Sequence, residues 1–239
     1  MIFLFAPTKK MVCDDGWFGE LTEPVFLDEA KEMRQLLQNK TQTELKALYK
    51  CSDKVAAQAY EDLHSSFPES PAILSYSGIA FRTMAPHLFS DEMEDYARRH
   101  LRILSAVYGF LRPYDGVVPY RLEMQTKMPW SLYEFWADKV KSRIADDEVV
   151  VNLASEEYAK VLRKKMKLID VRFCEQEDGK LKEKGVYVKI ARGAMFRWLA
   201  ENNIEDIEHI KEFDELDYKY DEDASSDDVL VFAREKVKK

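Results

Sequence analysis

The residues best equipped for chemistry gather around one part of this chain. Arg98, Arg102, Arg112 and Arg121 lie close together in sequence, and guanidinium groups at that density suit repeated phosphate contacts. Arg121 and Glu123 are two apart, so on an extended segment both project from the same side. With Lys9 and Asn152 they could line one pocket, Glu123 as acid or base and Lys9 as electrophile or nucleophile. A plain Arg121–Glu123 ion pair explains the same two residues without chemistry. Arg192 is the anomaly. On a helix over 189–202 it falls among Met195, Phe196 and Leu199, where an arginine needs a partner or a wet cleft. Ser155 follows a short apolar run and opens a helix, so the corner 152–155 aims peptide N–H groups at a possible anion.

Other chemistries lack a signature. His64, His87, His100 and His209 share no metal-ligand spacing, and no nucleophile elbow or Gly-rich phosphate loop occurs. No metal and no cofactor is therefore expected. Cys13, Cys51 and Cys174 are odd in number and far apart, which fits reduced thiols in the cytoplasm. No apolar run reaches membrane-spanning length, so no membrane partner is expected.

The net charge is −8, which by itself speaks against a polyanion partner. Its distribution restores the idea in part. Residues 98–127 carry six basic and two acidic side chains, and 160–167 carry five basic and no acidic ones. Residues 205–228 hold twelve acids against two lysines. Phosphate binding needs a local field, not a positive whole.

The elements that must position these residues follow from periodicity. Residues 2–5 and 149–152 read as short buried strands, with Lys9 just past the first, where ligand crevices form. Helices are expected over 27–37 and 43–49, the latter behind a Thr41/Glu44 capping box, and a third behind Ser52. Residues 72–77 and 79–81 look extended. Ser90 caps a helix that the apolar spacing of Met93, Ala97, Leu101, Leu104, Tyr108 and Leu111 carries from 91 to 111. The breakers at 112–116 then turn the chain, and 119–124 leaves extended. A helix over 130–143, strands over 168–173, 185–189 and 229–232, and a frayed tail at 236–239 complete the reading. The fold class is α+β, a single domain over 1–239 with a mixed sheet and packed helices.

Residues 100–124 also resemble the central block of the YaaA family of bacterial peroxide-stress proteins. Ala6-Pro7-Thr8-Lys9, Ser52-Asp53-Lys54, the 132–136 block Leu-Tyr-Glu-Phe-Trp, the 152–158 block Asn-Leu-Ala-Ser-Glu-Glu-Tyr and Ala191-Arg192-Gly193 are similar to further family blocks. The resemblance implies a cytosolic DNA-binding protein with a basic cleft and a helix-hairpin-helix-like element, limiting iron-driven oxidative damage. On that reading Tyr108-Gly109-Phe110 is the hairpin, and Lys9, Arg98, Arg102, Arg112, Arg121, Asn152, Ser155 and Arg192 hold DNA. The alternative is an enzyme acting on a nucleobase or nucleotide in the Lys9, Arg121, Glu123 and Asn152 pocket. A monomer is expected, with a small-molecule ligand possible.

Overall fold

The structure is a computed structural model describing residues 1–13, 16–17 and 19–236. Strand β1 (Ile2–Phe5) is buried at all four positions, as a central strand covered on both faces must be. On one side it pairs in parallel with β3 (Leu101–Ser105), which turns back into antiparallel β4 (Gly109–Leu111). On the other it pairs in parallel with β6 (Val150–Asn152), followed by parallel β7 (Ile169–Glu177) and β10 (Val229–Glu235). Antiparallel β8 (Lys180–Lys182) and β9 (Lys219–Tyr220) complete a mixed sheet of eight strands. A separate ribbon joins β2 (Ser70–Pro71) to β5 (Gly116–Val117). The fold is α+β, as the strand and helix pattern implied.

The crossover from β1 to β3 holds α1 (Leu27–Gln38), α2 (Gln42–Tyr49), α3 (Asp53–His64), α4 (Ala72–Ser75), α5 (Ile79–Met84) and α6 (Asp91–His100). The expected caps are present. Thr41 and Glu44 close a reciprocal capping box, and the Ser52 and Ser90 hydroxyls accept the N–H groups of Val55 and Met93. Helix α7 (Leu132–Lys141) follows the central block, one-turn α8 (Glu156–Ala159) links β6 to β7, and α9 (Gly185–Glu201) and α10 (Ile207–Ile210) precede β9. Phe196 of α9 packs edge-on against Phe3, and Phe81 of α5 against Phe5. The two helices touch closely. A Cβ on Gly193 would lie 2.1 Å from the Ala80 carbonyl oxygen, so only glycine lets α9 sit at that depth.

Several expected elements take another form. The helix over 91–111 stops at His100, and 101–105 is a strand. Leu101, Ile103, Leu104 and Ser105 are all buried, and a strand hidden on both faces shows no alternation to tell it from a helix. Arg102 therefore rides a strand, not the helical stripe of Arg98 and Arg99. Residues 72–75 and 79–84 are short helices, not extended chain. Residues 185–189 open α9 instead of forming a strand, and β7 finds its hairpin partner in β8, just before them. Residues 119–124 form no strand, but their burial alternates as foreseen: Tyr120, Leu122 and Met124 are in the core, Arg121 and Glu123 half-buried. The tail expected to fray lies, beyond Lys236, outside the described residues.

Candidate functional site

Parallel β1 and β6 finish at the same edge of the sheet, tied by the Leu153 N–H donating to the Leu4 carbonyl at 2.9 Å. Space beyond such carboxyl ends is where open sheets bind ligands. Here it is a cavity of about 380 Å³, within the roughly 300–1,000 Å³ usual for ligand pockets. The chain after β1 contributes Lys9, the corner after β6 Ser155 and Glu157, the irregular segment Glu123, and α9 Lys189 and Arg192. Phe5, Ile79, Leu153 and Tyr158 supply apolar wall. Gly193 and the Ala80 carbonyl set the depth of Arg192, one residue away.

Within the cavity, Lys9 Nζ lies 2.7 Å from Glu123 Oε2; Arg121, which does not line the cavity, reaches Glu123 Oε1 with its Nη2 at 3.4 Å. The ion pair expected between Arg121 and Glu123 is thus present, with Lys9 as its third member. Glu157 accepts the Gln125 N–H at 3.3 Å, and among the described residues no cation pairs with it. Burial pushes its carboxyl above the ordinary carboxylate range, with the nearby Glu123 charge adding to the effect and the Gln125 N–H opposing it. The Tyr158 hydroxyl is likewise pushed up by burial.

Arg192 is the unusual group. Its Nε is buried with no hydrogen-bond partner, and among the described residues no carboxylate lies within ion-pair distance. Burial pulls the guanidinium below its ordinary value, which Glu183 and Asp170 offset only at a distance. On its other side opens a second hollow of about 270 Å³, lined by Asn152, Arg163 and Asp170. The cations there are committed. Arg163 bridges Glu156 at 2.5 Å and Asp170 at 2.7 Å. Asn152 donates to Asp170 at 2.7 Å and accepts the Ala154 N–H at 2.9 Å. Its amide clamps the corner after β6, and it lines the second hollow instead of the first.

The structure does not bring the remaining arginines to this place. Arg98 lies 3.9 Å over the Tyr114 ring and 3.7 Å from Glu94. Arg102 donates to the Leu101 carbonyl at 2.7 Å, and burial lowers its pKa. Arg112 pairs with buried Asp115 at 3.0 Å and donates to the Glu23 carbonyl at 2.7 Å. None of the three lines the cavity. The register pairs Arg102 with Leu4, one residue before the end of β1.

The Tyr108-Gly109-Phe110 hairpin is also different from the expected form. It joins β3 to β4, two strands, so the helix-hairpin-helix expectation is not met at this position. Its amides are taken: the Val107 and Tyr108 N–H groups donate to the Ser105 hydroxyl at 3.1 and 2.9 Å. Tyr108 and Phe110 are buried. At Gly109, φ is +71° and a Cβ would lie 2.7 Å from the Trp136 ring, so the hairpin is a packing device.

Sequence reasoning passed over Glu157 and Lys189 as site residues. In the chain Glu157 is one of two acids in the first turn of α8, an ordinary place for a carboxylate. Its burial under residues 123–125 has no local signal.

No helix among the described residues is long and apolar enough to cross a membrane. No group of three His, Cys, Asp or Glu side chains among them could hold a metal ion.

A family profile described as peroxide stress protein YaaA matches residues 1–224. A UPF0246 protein of Agathobacter rectalis is 44% identical over 98% of this chain and 99% of its own length. One from Lactiplantibacillus plantarum is 44% identical over 97% and 98%, and one from Desulfitobacterium hafniense is 41% identical over the full length of both. A match from the first strand to beyond the last helix, with relatives aligned end to end, makes this chain a member of the peroxide stress protein YaaA (UPF0246) family.

Proposed function

We propose that the chain serves peroxide stress in the cytoplasm by gripping a DNA strand at the carboxyl ends of β1 and β6, one nucleotide unit turned into the cavity. Phosphate sits against Arg192 and Lys189, and the base lies along Phe5, Ile79 and Leu153. One observation carries the reading: Arg192 is a half-buried arginine whose enclosed Nε has no partner, and a charge held out of water is costly unless an anion completes it. The cavity is narrow for a duplex and suited to a flipped or single-stranded nucleotide. Three free thiols fit a reducing compartment.

Anisotropy of a labelled short single strand tests the site. Arg192→Met should weaken binding at least tenfold, about 1.4 kcal/mol, while Arg98→Ala and Arg112→Ala leave it within about twofold. Equal losses from all three would move the contact to the Arg98–Arg112 face.

A second reading has its own observation. Lys9, Glu123 and Glu157 place two carboxyls and an amine in one cavity, which is the equipment of an enzyme acting on a nucleobase or nucleotide. Release of free base from nucleotides or damaged strands distinguishes it from binding alone.

A further inference from the structure

We propose that Glu157 is the proton donor of this cavity, working against the ion-paired carboxylate of Glu123, and that the substrate is a phosphate-bearing N-glycoside. The inference rests on the anion-binding reading of Arg192 and deepens it. Two carboxyls reach one cavity from unrelated elements, and their surroundings differ in kind. Glu123 has Lys9 at 2.7 Å and Arg121 at 3.4 Å. Glu157 has the peptide N–H groups of Gln125 and Met124 and feels the Lys9 charge from across the cavity, but no cation pairs with it among the described residues, and burial outweighs all three. The other titratable groups around it are Tyr158 on its own helix, Tyr133 on α7, and Glu123 with Lys9 across the cavity. Lys9 is already taken by Glu123. Burial and the Glu123 charge both favour the protonated form of Glu157, outweighing its place in the first turn of α8. Two carboxyls in unlike surroundings, one ion-paired and one without a cation, facing a single cavity are the arrangement of an acid and base pair.

The substrate class follows from what lies to either side. Arg192 and Lys189 suit an oxyanion, the apolar wall suits a flat ring, and a nucleobase leaves poorly unless its nitrogen gains a proton. In the step, the glycosidic C–N bond breaks as the Glu157 proton moves to the departing nitrogen. Water supplies the oxygen that bonds to the sugar carbon, and its proton goes to the Glu123 carboxylate. Atoms and charge balance with water as the only co-reactant.

Carbon-13 NMR of the glutamate side-chain carboxyls in the intact protein, with Glu157→Gln for assignment, reads the first half. The Glu157 midpoint should lie above the free value of about 4.3, and should fall in Glu123→Gln. A midpoint at or below 4.3 overturns the proposal. Chromatography of nucleoside 5′-monophosphates and a short single strand after incubation reads the second half. Free base should appear with the native chain and drop about 100-fold or more in Glu157→Gln. No base from either substrate, or equal release by Glu157→Gln, overturns it. Titration with inorganic phosphate, native against Arg192→Met, separates the two claims. Arg192-dependent phosphate binding with an ionised Glu157 leaves the anion site standing and removes the proton donor. No phosphate binding at all removes the anion site itself.

Discussion

Arg192 carries a cost, because burial lowers its pKa and among the described residues no carboxylate is close enough to repay the lost hydration. Replacing it by methionine keeps the packing stem and removes the charge. Arg192→Met should therefore stabilise the ligand-free chain, on the order of 1 kcal/mol in chemical denaturation, while abolishing the anion contact. A loss of stability on that substitution would mean the guanidinium is a structural strut. Glu157 gives a pH signature of its own. Its folded pKa is raised by burial, so the folded chain binds the proton more tightly than the unfolded one. Stability then falls as pH climbs from the unfolded carboxylate value through the raised folded value. Native protein and Glu157→Gln should differ in slope across that window in urea titrations, the variant being flatter.

One close approach between elements sets the cavity wall. Gly193 lets α9 lie against α5, with the Ala80 carbonyl where a methyl would go. Gly193→Ala should cost about 1–3 kcal/mol and displace Arg192 along with its helix. Melting and strand binding should fall together, whereas Gly185→Ala, with open space around it, should change neither. Far from the cavity, β7, β8 and the end of β10 are latched by Glu177, which pairs with Lys182, Lys184 and Lys236. Hydrogen bonds from Lys236 and Lys182 hold its carboxyl at about 2. A lowered folded pKa gives stability that is present above the unfolded value and lost as pH falls toward 2. Amide exchange at 175–182 should therefore speed up on acidification in the native chain, and already at neutral pH in Glu177→Gln.

The whole molecule is acidic, at −8, and most of its arginines are spoken for by carboxylates, carbonyls or rings. A broad basic face is not what it offers. In the cavity Lys189 and Arg192 have no paired carboxylate among the described residues, so few phosphates are engaged there at once. Binding of a single strand should weaken with salt along a shallow slope, about two counterions or fewer by the log–log plot. A steep slope of five or more would indicate a wide cationic groove, and would point back to the Arg98, Arg102 and Arg112 face.

Local sequence carried the short-range physics. The caps at Thr41, Ser52 and Ser90, strands β1, β6 and β10, helices α1 to α3, α7 and most of α9, the mixed-sheet fold class and the alternation at 119–124 all follow from neighbours a few residues apart. So did the suspicion that Arg192 faces the wrong way for a charge. What sequence could not separate was a fully buried strand from a helix at 101–105, since both hide every side chain. Nor could it say which cations meet. Arg102 and Arg112 found partners on neighbouring segments, while Lys9, Glu123, Glu157 and Arg192 converged from four distant ones. That convergence is set by parallel strands ending at one edge and by a glycine that admits one helix to another, and such contacts leave no trace in spacing along the chain.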